Sequence, residues 1–143
     1  MKKFFLFSIL IITLIISCQP DEEESIIQDA CDQEAIIDTD IFKYDSSLVN
    51  IVKVELKQDC LHVTYSESGC DGTTWKVQLV DSEFIEGSKP THREILLQLV
   101  NTELCQAVFE KTTSFDLSPL RIDGENEILF KLKGWDEDID YIY

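Results

Sequence analysis

From about residue 48 onward the chain alternates apolar and polar side chains with a period of two, the repeat of a half-buried strand whose successive residues point to opposite faces. Val52, Val54 and Leu56 alternate with Lys53, Glu55 and Lys57; Leu61, Val63 and Tyr65 with His62 and Thr64; Trp75, Val77 and Leu79 with Lys76 and Gln78. Ile95, Leu97 and Leu99 make a fourth strand, and because Leu96 and Val100 are apolar on the other side it is expected to be covered on both faces. Ile128, Phe130 and Leu132 set against Lys131 and Lys133 predict another, and a short strand through Tyr141, Ile142 and Tyr143 closes the sheet. Residues 103–117 begin with good helix formers and continue with Thr and aromatic residues; their strand neighbours make a long or broken strand the consistent reading.

Turn residues fall at Gln58-Asp59, Ser68-Gly69, Asp71-Gly72, Glu86-Gly87, Ser118-Pro119, Asp123-Gly124 and Gly134, which leaves no room for helical crossovers. The pattern predicts an all-β fold, an antiparallel β-sandwich of about seven strands over residues 41–143 with an immunoglobulin-like outline. The cysteines flank the wrong strands for a true immunoglobulin domain, so the likeness stops at architecture.

The N-terminus follows a different rule. Met1-Lys2-Lys3 is a short cationic start, and residues 4–16, FFLFSILIITLII, contain only Ser8 and Thr13 as polar positions. As a helix this run would span roughly 20 Å, short of the roughly 30 Å of a bilayer's hydrocarbon core, so it reads as a signal peptide over residues 1–17. Ile15-Ile16-Ser17-Cys18 resembles the lipobox of bacterial lipoproteins, and the whole resembles small surface lipoproteins of Bacteroidota-type bacteria. That resemblance implies cleavage before Cys18, a diacylglyceryl group on its thiol, usually acylation of the new amino group, and localisation at the outer membrane or cell surface. Membrane lipid is then a partner through acylated Cys18, and several acyl chains make a durable anchor where one would be marginal. An ordinary secretory signal or a membrane anchor, with Cys18 incidental, is the alternative.

Residues 21–40 carry nine Asp or Glu and no Lys or Arg, so residues 18–40 are expected to form an extended, lipidated acidic tether. The same acidity resembles the export signals of surface lipoproteins, and equally fits a spacer repelled by anionic head groups. The chain has 143 residues, 44% hydrophobic, with 28 acidic and 12 basic side chains and a net charge of -16. That is one domain, too apolar for wholesale disorder and too acidic to bind nucleic acid. An electrostatic partner should be cationic or metal-bearing.

Setting Cys18 aside leaves Cys31, Cys60, Cys70 and Cys105, an even number in an exported chain. If strands alternate in direction, Cys60 and Cys70 lie at opposite ends of one strand, roughly 20 Å apart for six or seven residues, too far to bond. The turn before the third strand and the turn between the fourth and fifth share one end, which pairs Cys70 with Cys105 and leaves Cys31 for Cys60. Four free thiols remain the alternative.

A search for chemistry yields no reaction. Cys60 and His62 share a strand face some 7 Å apart, too far for a nucleophile and its base. His62 and His92 read as exposed strand residues, and no metal-ligand spacing occurs. Asp136, Asp138 and Asp140 open like a calcium loop but have Tyr141 where glycine is required, so an acidic turn is the better reading. Cys70-Asp71-Gly72-Thr73-Thr74-Trp75 reads as a tight turn in which Asp71 caps backbone amides and Gly72 takes a positive φ. No catalytic residue, metal site or cofactor is predicted. Three functions stay open: a non-catalytic binding module at the envelope with an unknown protein or ligand partner, an assembly subunit joined by strand addition, and a small carboxylate-dependent enzyme.

Overall fold

A computed structural model describes residues 30–45, 49–87 and 89–143. The signal segment, Cys18 and most of the acidic stretch lie outside the described residues. Nine strands occur among the described residues: β1 (Gln33–Glu34), β2 (Ile36–Ile37), β3 (Asn50–Lys57), β4 (Cys60–Gly69), β5 (Lys76–Glu86), β6 (Thr91–Val100), β7 (Ala107–Asp116), β8 (Glu127–Leu132) and β9 (Asp138–Ile142). One short helix, α1 (Thr39–Tyr44), and a 3-10 turn (Ser118–Leu120) complete them. The strands form a sheet in the order β1-β7-β4-β3 and a second in the order β2-β5-β6-β8-β9. The fold is an all-β sandwich.

The alternation of side chains explains the core. Leu61, Val63 and Tyr65 of β4, Phe115 of β7, Val77 and Leu79 of β5, Ile95 and Leu97 of β6, and Ile128 and Phe130 of β8 are all buried between the two layers. Residues 103–106 belong to a six-residue loop, 101–106, and Ala107–Asp116 form the continuous strand β7, paired along its whole length with β4.

Three features depart from a plain seven-strand antiparallel sandwich. β1 with β7, β2 with β5, and β6 with β8 are parallel pairs, so both sheets are mixed. The folded part also begins before residue 41. Ala35 is only 3% exposed and donates its backbone N–H to Asp116 O at 2.9 Å, with β1 joining one sheet and β2 the other on either side of it. Two-residue strands carry no readable period, and here they sit in acidic sequence, so pattern assigned them to the tether. The third departure is a register shift in β3 between Ile51 and Lys53, where one extra residue flips the parity of the strand. Ile51, Val54 and Leu56 therefore pack on the core, while Val52 is 41% exposed.

The outer face of the second sheet is covered only in part. Val80 and Leu96 are cross-strand partners and both are buried, whereas Val100 farther along β6 is 48% exposed. Asp38 caps α1: its carboxylate accepts Ile41 N–H at 2.8 Å and satisfies a first-turn donor.

Candidate functional site

β4 and β7 form a ribbon of ten paired residues, and a disulfide closes each end of it. Cys31 bonds Cys60 at the first residue of β4, with Cα atoms 5.6 Å apart. Cys70 bonds Cys105 just past the last residue, with Cα atoms 4.8 Å apart. Ten extended residues rise about 30 Å, so the two bonds mark opposite poles of the sandwich. The arrangement is the one strand direction implies, and it occupies Cys60, so no thiol stands beside His62.

At the Cys31–Cys60 pole, which we term the base, a cleft of about 640 Å³ is lined by Asp32, Glu34, Asp59, Asp116, Ser118 and Arg121 among others. Most of its carboxylates have partners within the protein. Asp32 accepts Ser114 N–H and Oγ–H, both at 2.8 Å, and these bonds hold its pKa below the ordinary value. Asp116 accepts the N–H and hydroxyl of Ser118 at 2.8 Å each. Asp59 accepts Tyr141 Oη–H at 2.7 Å and Arg121 Nη2–H at 2.5 Å, and its pKa is lowered chiefly by the tyrosine bond. Tyr141 answers in the other direction: burial first, then the bond to the Asp59 carboxylate, pushes its hydroxyl up to about 12. The Arg121 guanidinium lies 5.8 Å from the Tyr141 ring centre and 5.0 Å from that of Tyr143.

The opposite pole, the tip, is built around the carboxylate of Glu103, which lies in the loop before β7 and not in the long or broken strand that the pattern of residues 103–117 predicts. Glu103 Oε2 accepts the backbone N–H groups of Cys70, Asp71 and Gly72 at 2.5, 3.1 and 3.0 Å, and Oε1 accepts from Thr74 Oγ1 at 2.8 Å. Desolvation opposes ionisation here, but the Gly72, Thr74, Cys70 and Asp71 donors win and bring the Glu103 pKa down to about 2. Asp71 caps Thr73 N–H at 2.8 Å and Gly72 has φ +67°, as the turn composition predicts. A side chain at Gly72 would be strained by that φ and would crowd Lys111 and Trp75. Lys111 donates to Gly72 O and lies 5.4 Å from the Trp75 ring centre. Asn101 Nδ2 donates to Ser68 O at 2.6 Å, tying the other loop back to β4. The tip is thus clamped by a disulfide and a carboxylate, and it presents Leu104 (94% exposed) and Val108 (70% exposed).

A second charged feature is sealed inside. Asp81 is fully buried and pairs with Arg93 Nη2 at 2.6 Å, while Arg93 Nη1 donates to Leu120 O at 2.7 Å. Burial raises the Asp81 pKa, opposed by the guanidinium. Its sequence signal was legible in principle: Asp81 continues the inward series Val77, Leu79, and Arg93 precedes Ile95, Leu97, giving opposite charges on the core face of adjacent strands.

His62 sits half-buried on β4 opposite Glu55 and Ser114, and His92 lies on β6 opposite Leu129. Asp138 and Asp140, with Ile142, are the exposed positions of β9, alternating with buried Ile139 and Tyr141. No group of three His, Cys, Asp or Glu able to hold a metal occurs among the described residues, and no described helix is long and apolar enough to cross a membrane.

No protein-family model matches the chain. No curated protein matches it either. Among solved structures it is similar to a protein of unknown function, DUF1344, from Bacteroides vulgatus, with a TM-score of 0.51 and 18% identity over 78% of this chain. The chain spans 56% of the length of that protein, and at this identity the likeness is one of fold.

Proposed function

We propose that the chain is a non-catalytic interaction module held at the bacterial envelope by acylated Cys18, with the tip directed away from the membrane. The observation that carries this is polarity. The chain enters the sandwich at the base beside Cys31–Cys60, and the disulfide-clamped loops with exposed Leu104 lie about 30 Å away at the other pole. An acidic spacer entering at one pole leaves the other accessible to a partner, and loops on a rigid scaffold are where binding residues concentrate.

The non-catalytic reading is supported by what the perturbed carboxylates do. Asp32, Asp59 and Glu103 have lowered pKa values because each accepts hydrogen bonds that hold two segments together, and Asp81 is closed off from solvent beside Arg93. An acid or base for catalysis needs access to a substrate proton. The test is fractionation of cells making the natural chain or Cys18→Ser. The reading predicts that the natural chain partitions with membranes into detergent and that Cys18→Ser is released unacylated; equal partitioning of both would overturn it.

A further inference from the structure

Building on the reading of the chain as an interaction module, we infer that the outer edge of β7, from Val108 to Thr112, is a docking edge that receives an extended, cationic segment of a partner protein as an added strand. In the order β1-β7-β4-β3, β7 is nominally interior, yet β1 meets it only at Phe115 and Asp116. Among the described residues, the rest of that side of β7 has no strand beside it.

The direction of its backbone groups follows from two bonds. Ser114 N–H points away from β4 to the Asp32 carboxylate, and Asp116 O points the same way to Ala35 N–H. Outward and inward residues alternate along an antiparallel strand, so Val108, Glu110 and Thr112 also direct N–H and C=O outward. Their side chains are exposed, and the stretch extends about 13 Å, room for a strand of ordinary length.

The other edges carry features that discourage pairing. β3 has its bulge and the exposed Lys53 and Lys57; β9 is five residues long with Asp138 and Asp140; β5 is interrupted by a register shift after Asp81. β7 runs ten residues without a bulge, and its one lysine, Lys111, is turned to Gly72 O and the Trp75 ring, so the charge this edge shows is acidic.

Charge selects the occupant. Glu110 stands at the middle of the edge, and Asp32, Glu34 and Asp116 stand at its base end. A second copy would bring the same acidic groups and a net charge of -16, whereas a lysine-rich strand is complementary.

The experiment follows amide hydrogen exchange by NMR while a short capped peptide of alternating lysine and valine is added. In the free protein the Val108, Glu110 and Thr112 amides should exchange fast, with Phe109, Lys111 and Thr113 slow because they face β4. The peptide should slow the three outward amides at least about tenfold, and an alternating glutamate–valine peptide should not. Thr112→Pro removes one outward donor while sparing the backbone bonds to β4, at the loss of the hydroxyl bond to Thr64, and should abolish the protection. Should that variant fail to fold, Glu110→Lys decides, with about fivefold weaker binding of the lysine peptide expected. No slowing at these amides, slowing at Cys70–Gly72 instead, equal binding of both peptides, or concentration-dependent protection without peptide would each overturn the inference. Release of the chain from membranes despite an intact Cys18 would sink the anchored reading alone and leave the edge result standing.

Discussion

Replacing Arg93 by methionine leaves Asp81 fully buried with its only ion-pair partner gone, and the Leu120 carbonyl loses its guanidinium donor. A surface pair would contribute under about 1 kcal/mol, but a carboxylate stranded in the interior typically costs about 3–5 kcal/mol. For a domain of this size that lowers the melting temperature by about 12–20 °C at neutral pH. The sign of the pH dependence follows from the raised pKa of Asp81. A group whose folded pKa exceeds its unfolded value near 3.8 stabilises the fold below that value and loses the contribution as pH rises through the folded pKa. Without Arg93 the folded pKa moves higher still, so the deficit should be largest at pH 7 and should shrink toward pH 4. Replacing both partners, Asp81→Leu with Arg93→Met, should recover most of the loss, because an ion pair exchanged for apolar groups of similar volume is close to neutral. Circular dichroism melts of the two singles and the double, at pH 7 and pH 4, read all of this. A single-variant deficit below about 1 kcal/mol, a deficit independent of pH, or a double variant no better than the single would show that the Asp81 carboxylate is not stranded by loss of Arg93.

Replacing Cys70 and Cys105 together by serine, or Cys31 with Cys60, should cost about 3.5–4 kcal/mol each, because the separations of 35 and 29 that the two bonds close are nearly equal in loop entropy. The loops do not overlap, so urea midpoints of the combined variant should show additive losses. Glu103→Gln removes the charge and one of the two accepting oxygens that hold Cys70, Asp71, Gly72 and Thr74, so exchange at the Cys70, Asp71 and Gly72 amides should accelerate while the melting temperature of the core barely moves. In the natural chain the tip contribution of Glu103 should hold above pH 4.5 and fade on acidification toward about 2, read as the same amide rates against pH. Tyr141 works at the alkaline end: its hydroxyl is raised to about 12, so stability should fall as pH climbs from 10 toward 12, with phenolate absorbance lagging behind that of exposed tyrosines.

The strands were readable where burial was one-sided and long. Val63 or Leu97 can face only one layer, and a run of several such residues fixes the phase. β3 shows the limit, since a single extra residue between Ile51 and Lys53 moved Val52 outward while leaving the composition unchanged. β1 and β2 were invisible because their place in the sheets is set by long-range contacts of Ala35, not by local pattern. Parallel pairing of β6 with β8 likewise depends on a connection through the 3-10 turn at Ser118–Leu120 that no periodicity reports. At the tip, Asp71 and Gly72 announced the turn by their chemistry. The Glu103 carboxylate that fills the turn arrives from 31 residues away, beyond any local rule. That β7 has no strand beside Val108–Thr112 among the described residues was hidden for a related reason, because an edge is defined by which strand fails to come alongside.

Anchoring by lipid and stapling at both poles are read together by the intact mass of membrane-extracted protein before and after reduction with thiol alkylation. A lipid-anchored, doubly stapled chain should have the mass of residues 18–143 plus acyl chains, with four alkylations appearing only after reduction. An unacylated mass would contradict the anchor, and alkylation of Cys31, Cys60, Cys70 or Cys105 without reduction would contradict the staples.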